Sequence, residues 1–192
     1  MKIVFATNNL NKLKEVQLLV PKTITLLSLK DINCTEDIEE TANTLEGNAK
    51  IKADYISNTY NLPCFADDTG LLVTALNGEP GVYSARYAGA QKSSEDNMNL
   101  LLQKLSNKTD RTAHFKTIIA LNLNNTQTFF SGIAEGEITK EKHGEKGFGY
   151  DPIFKPNGYN KTFAQLPLDT KNKISHRGKA IQLLINHLNT IA

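Results

Sequence analysis

The chain has 192 residues, 40% hydrophobic and 22% charged, enough for one domain with its own core and too apolar for a disordered tail protein. Its 22 basic and 20 acidic side chains leave a net charge of +2, too near neutrality for a protein whose main task is coating nucleic acid. Cys34 and Cys64 lie far from any Cys-x-x-Cys spacing, which argues against a disulfide scaffold or structural zinc, and no apolar run reaches the length of a signal peptide or membrane span. A soluble, cytoplasmic protein is expected, with no membrane contact and no stable nucleic-acid partner.

Neither repeats nor a low-complexity linker divide the sequence, so residues 1–192 read as a single domain. Ile3 to Ala6 is a short β-forming run, followed by polar Thr7 to Lys12 and then by Leu13, Val16, Leu19 and Val20 at helical spacing. Strand, polar loop and helix are predicted there, with Pro21 ending the helix. A second helix is predicted from Thr44 to Ser57, with Leu45, Ala49, Ala53 and Ile56 on its apolar face and Asn48 and Lys52, four apart, sharing another. Pro63 to Ala66 reads as a buried strand. Asp67-Asp68-Thr69-Gly70 then interrupts the apolar pattern, which resumes at Leu71 to Leu76. Ser93 and Asp96 resemble a capping box before the amphipathic Met98, Leu101, Leu102 and Leu105. Phe115 to Leu123 and Thr128 to Ile133 flank Asn124-Asn125, a pair that tolerates the backbone of a tight hairpin. Ile181, Leu184, Leu188 and Ile191 outline a closing helix whose first turn carries His176 and Arg177. The sum is an α/β fold with a mixed, strongly twisted sheet flanked by helices.

Chemistry is expected where this pattern breaks. Six carboxylates and no basic residue lie between Asp31 and Glu46, and Asp67-Asp68 forms a second acidic point. A hard divalent cation takes one or two carboxylates plus phosphate oxygens, so Glu40 and Asp68 are candidate ligands, against capping and solvated surface charge. Two carboxylates directly after Cys64-Phe65-Ala66 are costly to bury unless cations or hydrogen bonds compensate, although a plain turn also suits Asp, Thr and Gly. The loop Thr7-Asn8-Asn9-Leu10-Asn11-Lys12 between strand and helix suits an anion, or merely caps the helix; it lacks the glycines of a Walker A or dinucleotide fingerprint. From Lys140 to Lys179 nine basic residues face four acidic ones, the opposite bias to the acidic segment. Inside this stretch Gly147-Phe148-Gly149-Tyr150-Asp151-Pro152 offers two aromatics that either stack on a base or pack in the core around a turn. No Gly-x-Ser-x-Gly elbow and no His pair at zinc-ligand spacing occur.

Five segments together resemble the inosine triphosphate pyrophosphatase family. They are Ala6-Thr7-Asn8-Asn9 with Lys12 and Glu15, Phe65 to Leu71, Pro80 to Tyr87, Gly147 to Pro152, and Ser175-His176-Arg177-Gly178, in family order over nearly the whole chain. Asn8 stands where many members have Gly, and Thr69 where many have Ser. The resemblance implies an elongated fold of two lobes with a central cleft, a homodimer, and magnesium-dependent hydrolysis of the purine nucleoside triphosphates ITP, dITP and XTP to monophosphate and pyrophosphate. It further implies that Thr7, Asn8, Asn9, Leu10, Asn11 and Lys12 hold the phosphates with Lys52, that Glu40 rather than Glu39 binds Mg2+ with Asp68, and that Asp68 is the proton acceptor. Thr69 would contact substrate, and Phe148, Gly149, Tyr150, Asp151, Lys171, His176 and Arg177 would form the base and sugar pocket. A non-catalytic purine-nucleotide sensor and a Maf-type pyrophosphatase are the rival readings.

Overall fold

The computed structural model describes residues 1–190, so Ile191 of the expected closing helix lies outside the described residues, and the chain folds as a mixed α/β protein. In chain order the strands are β1 (Lys2–Phe5), β2 (Thr25–Leu27), β3 (Cys64–Val73), β4 (Pro80–Gly81), β5 (Thr112–Leu123), β6 (Thr126–Ile138) and β7 (Phe154–Pro156). The helices are α1 (Leu10–Leu19), α2 (Leu45–Tyr60), α3 (Ser94–Lys104), α4 (Leu168–Ile174) and α5 (His176–Thr190). The sheet runs β2-β1-β3-β5-β6-β7, with β4 beside β3. β1 pairs parallel with both β2 and β3, whereas β3–β4 and β6–β7 are antiparallel, so the sheet is mixed as the alternation of elements predicts. Among the described residues no helix is long and apolar enough to cross a membrane.

Two compact units share these elements. The first comprises Met1–Asp68, Thr117–Gly132 and the chain from Arg177 onward; the second comprises Thr69–Lys116 and Ile133–His176. Each has a core of its own. In the first, Ile3, Phe5, Val16, Phe65, Ile119, Ile181 and Leu184 pack together, with Phe5 and Phe65 stacked at 4.6 Å between ring centroids. In the second, Leu71, Leu101, Phe115, Ile138, Phe154 and Phe163 do so, with Phe154 set edge-on to Phe115 at 4.7 Å.

Local signals place most boundaries. Asn9 caps α1, Thr44 caps α2 and Ser93 caps α3, each through its side-chain oxygen. Helix α1 ends at Leu19, ahead of Pro21. Asn124 and Asn125 both adopt left-handed backbone, φ 51° and 59°, making the tight turn between β5 and β6. Two expectations need correction. Helix α2 continues past Ser57 to Tyr60, where Asn61 at φ 53° closes it. Asp67-Asp68-Thr69-Gly70 does not interrupt the sheet: β3 is unbroken from Cys64 to Val73, and the apolar run ends in a 3-10 turn at Thr74–Leu76. Polar residues stay in the strand because alternation along it sends neighbouring side chains to opposite faces, where each finds its own partners.

Candidate active site

β1 lies between β2 and β3, so the loop after it opens at the carboxyl ends of two parallel strands, where α/β sheets hold ligands. Thr7 Oγ1 accepts the Asn9 amide at 3.1 Å, and Asn9 Oδ1 accepts those of Asn11 and Lys12 at 3.0 and 3.2 Å. Thr7 and Asn9 therefore shape the turn and cap α1, while Asn8, Leu10 and Asn11 are exposed along it. Lys12 turns inward and donates to Asp67 Oδ1 at 2.9 Å.

Asp67, 1% exposed, is the hinge of a buried charge chain. Its second oxygen accepts Arg177 Nε at 3.1 Å, and Arg177 Nη1 donates to Glu15 Oε2 at 2.8 Å. Burial by itself raises the Asp67 pKa, but Lys12, Arg177 and Lys52 outweigh it and hold the carboxyl well below the usual range. Burial likewise lowers the Lys12 ammonium, with Asp67 opposing. Arg177, expected beside the base, lies in this network through α5, whose first turn presents it to Asp67 and Glu15.

On the other side of β3, Asp68 faces α2. Asn48 Nδ2 donates to Asp68 Oδ2 at 3.2 Å, and Lys52 Nζ lies 3.9 Å from Oδ1. The same ammonium donates to Glu40 Oε1 at 2.6 Å and to the Asp67 carbonyl at 2.7 Å. Burial lowers the Lys52 pKa, but Asp68, Glu40 and Asp67 reverse that and keep it charged. Asp68 moves the opposite way to Asp67: burial raises it, Lys52 opposes, and Glu40 adds to the rise. Glu40 is thus turned toward Asp68 while its neighbour Glu39 is exposed. Two carboxylates converging on one cation form an oxygen-only donor set, which fits a hard divalent ion completing its shell with phosphate oxygens and water. No cluster of three or more His, Cys, Asp or Glu side chains placed to hold a metal occurs among the described residues.

The remaining site candidates belong to the second unit, which the chain enters at half-buried Thr69. Asp151 Oδ2 accepts Lys171 Nζ at 2.6 Å and the Phe148 amide at 2.9 Å, both buried acid and base being under 5% exposed. Lys171 Nζ also lies 5.0 Å from the centre of the Phe148 ring. Gly147 permits this closure: at φ 77° a Cβ there would come within 2.0 Å of Asp151 Oδ2. Gly149, also left-handed at φ 62°, carries the chain on to Tyr150. Of the two aromatics Phe148 is half-buried, whereas Tyr150 is a core residue whose hydroxyl donates to the Ser84 carbonyl at 2.9 Å. Buried His176 stacks on Phe115 at 4.4 Å. In the sequence Asp67 and Asp68 read as one acidic point, Glu15 has no role beyond its place in the first family-like segment, and Asn48 has none. The i, i+4 pairing of Asn48 with Lys52 was the available signal for the latter.

Residues 3–187 match the Ham1 family. The chain is 63% identical over 188 residues to a dITP/XTP pyrophosphatase of Flavobacterium johnsoniae, covering 98% of each, and 47% identical to one of Porphyromonas gingivalis, covering 97% of each. Among solved structures it resembles the Staphylococcus aureus Ham1 protein, with a TM-score of 0.91 and 43% identity over the full length of both chains. With sequence and fold both matched from end to end, the chain belongs to the Ham1 family.

Proposed function

We propose that the protein is a pyrophosphohydrolase of deaminated purine nucleoside triphosphates, cleaving dITP, XTP and ITP to monophosphate and pyrophosphate. The observation that carries the chemistry is the convergence of Glu40 and Asp68 on one ammonium, beside a strand-to-helix loop suited to phosphate. The family implies a divalent metal cofactor, and magnesium is the ion proposed. Glu40 and Asp68 would hold it, and when bound it supplies charge neutralisation at the phosphate oxygens.

Asp68 orients a water and accepts its proton as the water oxygen bonds to the α-phosphorus. The bond from that phosphorus to the bridging oxygen breaks, and pyrophosphate leaves with the bridging oxygen. A carboxylate whose burial raises its pKa is a better proton acceptor than an ordinary one. Lys12, anchored by Asp67, and Lys52 offset phosphate charge, while the backbone from Thr7 to Asn11 follows the triphosphate. In the second unit Phe148 supplies a ring face for the base, and Lys171, held by Asp151, supplies a donor for a 6-oxo group. The 6-amino group of ATP mismatches such a donor, which discriminates by orders of magnitude. Thr69 and His176 complete the substrate contacts, and Arg177 acts by holding Asp67. A homodimer is the proposed assembly, checked by light scattering.

The deciding experiment is chromatography of products from dITP, XTP, ITP, GTP and ATP, with magnesium and with a chelator. Metal-dependent pyrophosphate release from the deaminated nucleotides is expected. Saturable binding without turnover would leave a nucleotide sensor instead, and preference for other nucleotides would favour the Maf-type alternative.

A further inference from the structure

Within that reading, one residue outside the expected set stands where two site segments meet. Asn48, in α2, is completely buried. Its Oδ1 accepts the Ala42 amide at 2.9 Å and its Nδ2 donates to Asp68 Oδ2 at 3.2 Å. The orientation of the amide is dictated by its partners, since a backbone N–H can only donate and an ionised carboxylate can only accept. A single side chain therefore ties the irregular segment carrying Glu40 to the carboxylate of Asp68.

The close approach is built on both sides. Gly47, next to Asn48, lets the segment lie against the first turn of α2: a Cβ at Gly47 would meet the Ala42 Cβ at 2.5 Å. Thr44 Oγ1 caps the Gly47 amide at 3.0 Å, and the Asn48 amide donates to the Thr44 carbonyl at 3.1 Å, so the turn is held where the asparagine needs it. The two Asp68 oxygens are thereby made unequal. Oδ2 is held by the amide, and Oδ1 lies on the Lys52 side, toward Glu40.

We propose that Asn48 is a positioning residue: it selects Oδ1 as the working oxygen of Asp68 and sets the spacing between Asp68 and Glu40. Neither serine nor leucine can do this, because the role needs a donor and an acceptor a fixed distance apart on a short stem. Asn48→Asp is isosteric and keeps an acceptor for Ala42 while losing the amide donor to Asp68; Asn48→Ala loses both.

Three readouts test the assignment in the full-length protein: steady-state kinetics on dITP, Mn2+ affinity without nucleotide by electron paramagnetic resonance, and hydrogen exchange of the Ala42 segment. Residues that orient metal ligands typically change affinity or activity by about 10–100-fold, so Asn48→Ala should lower kcat and weaken Mn2+ by at least about tenfold. Its KM for dITP should stay within about threefold, because the phosphate loop is untouched. Asn48→Asp should keep the exchange protection of Ala42 yet lose kcat, a split that general loosening of α2 cannot produce. Should either variant unfold, the other carries the kinetic comparison. Variants matching the unaltered protein in kcat and Mn2+ affinity overturn the assignment. If the unaltered protein does not hydrolyse dITP, the proposed function fails separately; Asn48 is then judged on Mn2+ affinity, and equal affinities overturn it.

Discussion

Asp67 and Asp68 are chemically identical neighbours in one strand, and β3 gives them opposite environments. Asp67 meets two cations at hydrogen-bond distance, Lys12 and Arg177, and its carboxyl is held well below the ordinary range against the effect of burial. Asp68 meets an amide and a lysine that Glu40 already shares, and burial raises it. Strand alternation is the cause, since one peptide step moves a side chain through the sheet to a different set of partners. A carboxylate whose neighbouring cations outweigh its burial makes a brace, and one whose burial prevails suits the proposed role of base. In the second unit Asp151 is also a brace, its Oδ2 accepting both the Lys171 ammonium and the Phe148 amide.

The sharpest way to break this comparison is to neutralise each aspartate in turn. Asp68→Asn should lower dITP turnover by about 10²–10⁴-fold, the usual worth of a general base. It should be no less stable than the unaltered protein near neutrality, because a raised carboxyl pKa costs stability wherever the group is ionised. Asp67→Asn leaves Lys12 and Arg177 short of a buried partner and should lose about 3–5 kcal/mol in urea unfolding. An Asp67→Asn protein as stable as the parent would dissolve the distinction. The same depressed pKa implies that the Asp67 contribution is fully present above the unfolded carboxyl value of about 3.9 and fades as the pH falls below it. Acid unfolding of Asp67→Asn should accordingly be shallower than that of the parent.

Gly147→Ala tests the brace in the second unit. A methyl group forced onto Asp151 at a left-handed backbone should cost about 1–3 kcal/mol and raise the KM for dITP more than it lowers kcat. The smallest effect is a control: Lys104→Ala removes an exposed partner of Glu79 and should change the melting temperature by a degree or two at most, with turnover unaltered.

Much of the architecture was legible because the signals are local. Asn9, Thr44 and Ser93 cap helices through their own side chains, and Asn124-Asn125 turns a hairpin through its own backbone preference. The run Asp67 to Gly70 misled because turn-forming composition outweighs pattern when partners are unseen. Tyr150 was equally ambiguous, since a ring beside a glycine turn has the same sequence whether it faces a ligand or a core.

By itself the sequence determined the elements, the mixed α/β class, the acidic and basic segments and the family, all of which follow from residue type, spacing and order. Tertiary structure alone decided that cations brace Asp67 while burial raises Asp68, that Glu40 rather than Glu39 reaches Lys52, and that Asn48 ties Asp68 to the Ala42 amide. The reason is range. Caps and turns act over a few residues, whereas the charge state of a buried group is set by whichever distant groups folding brings within a few ångströms.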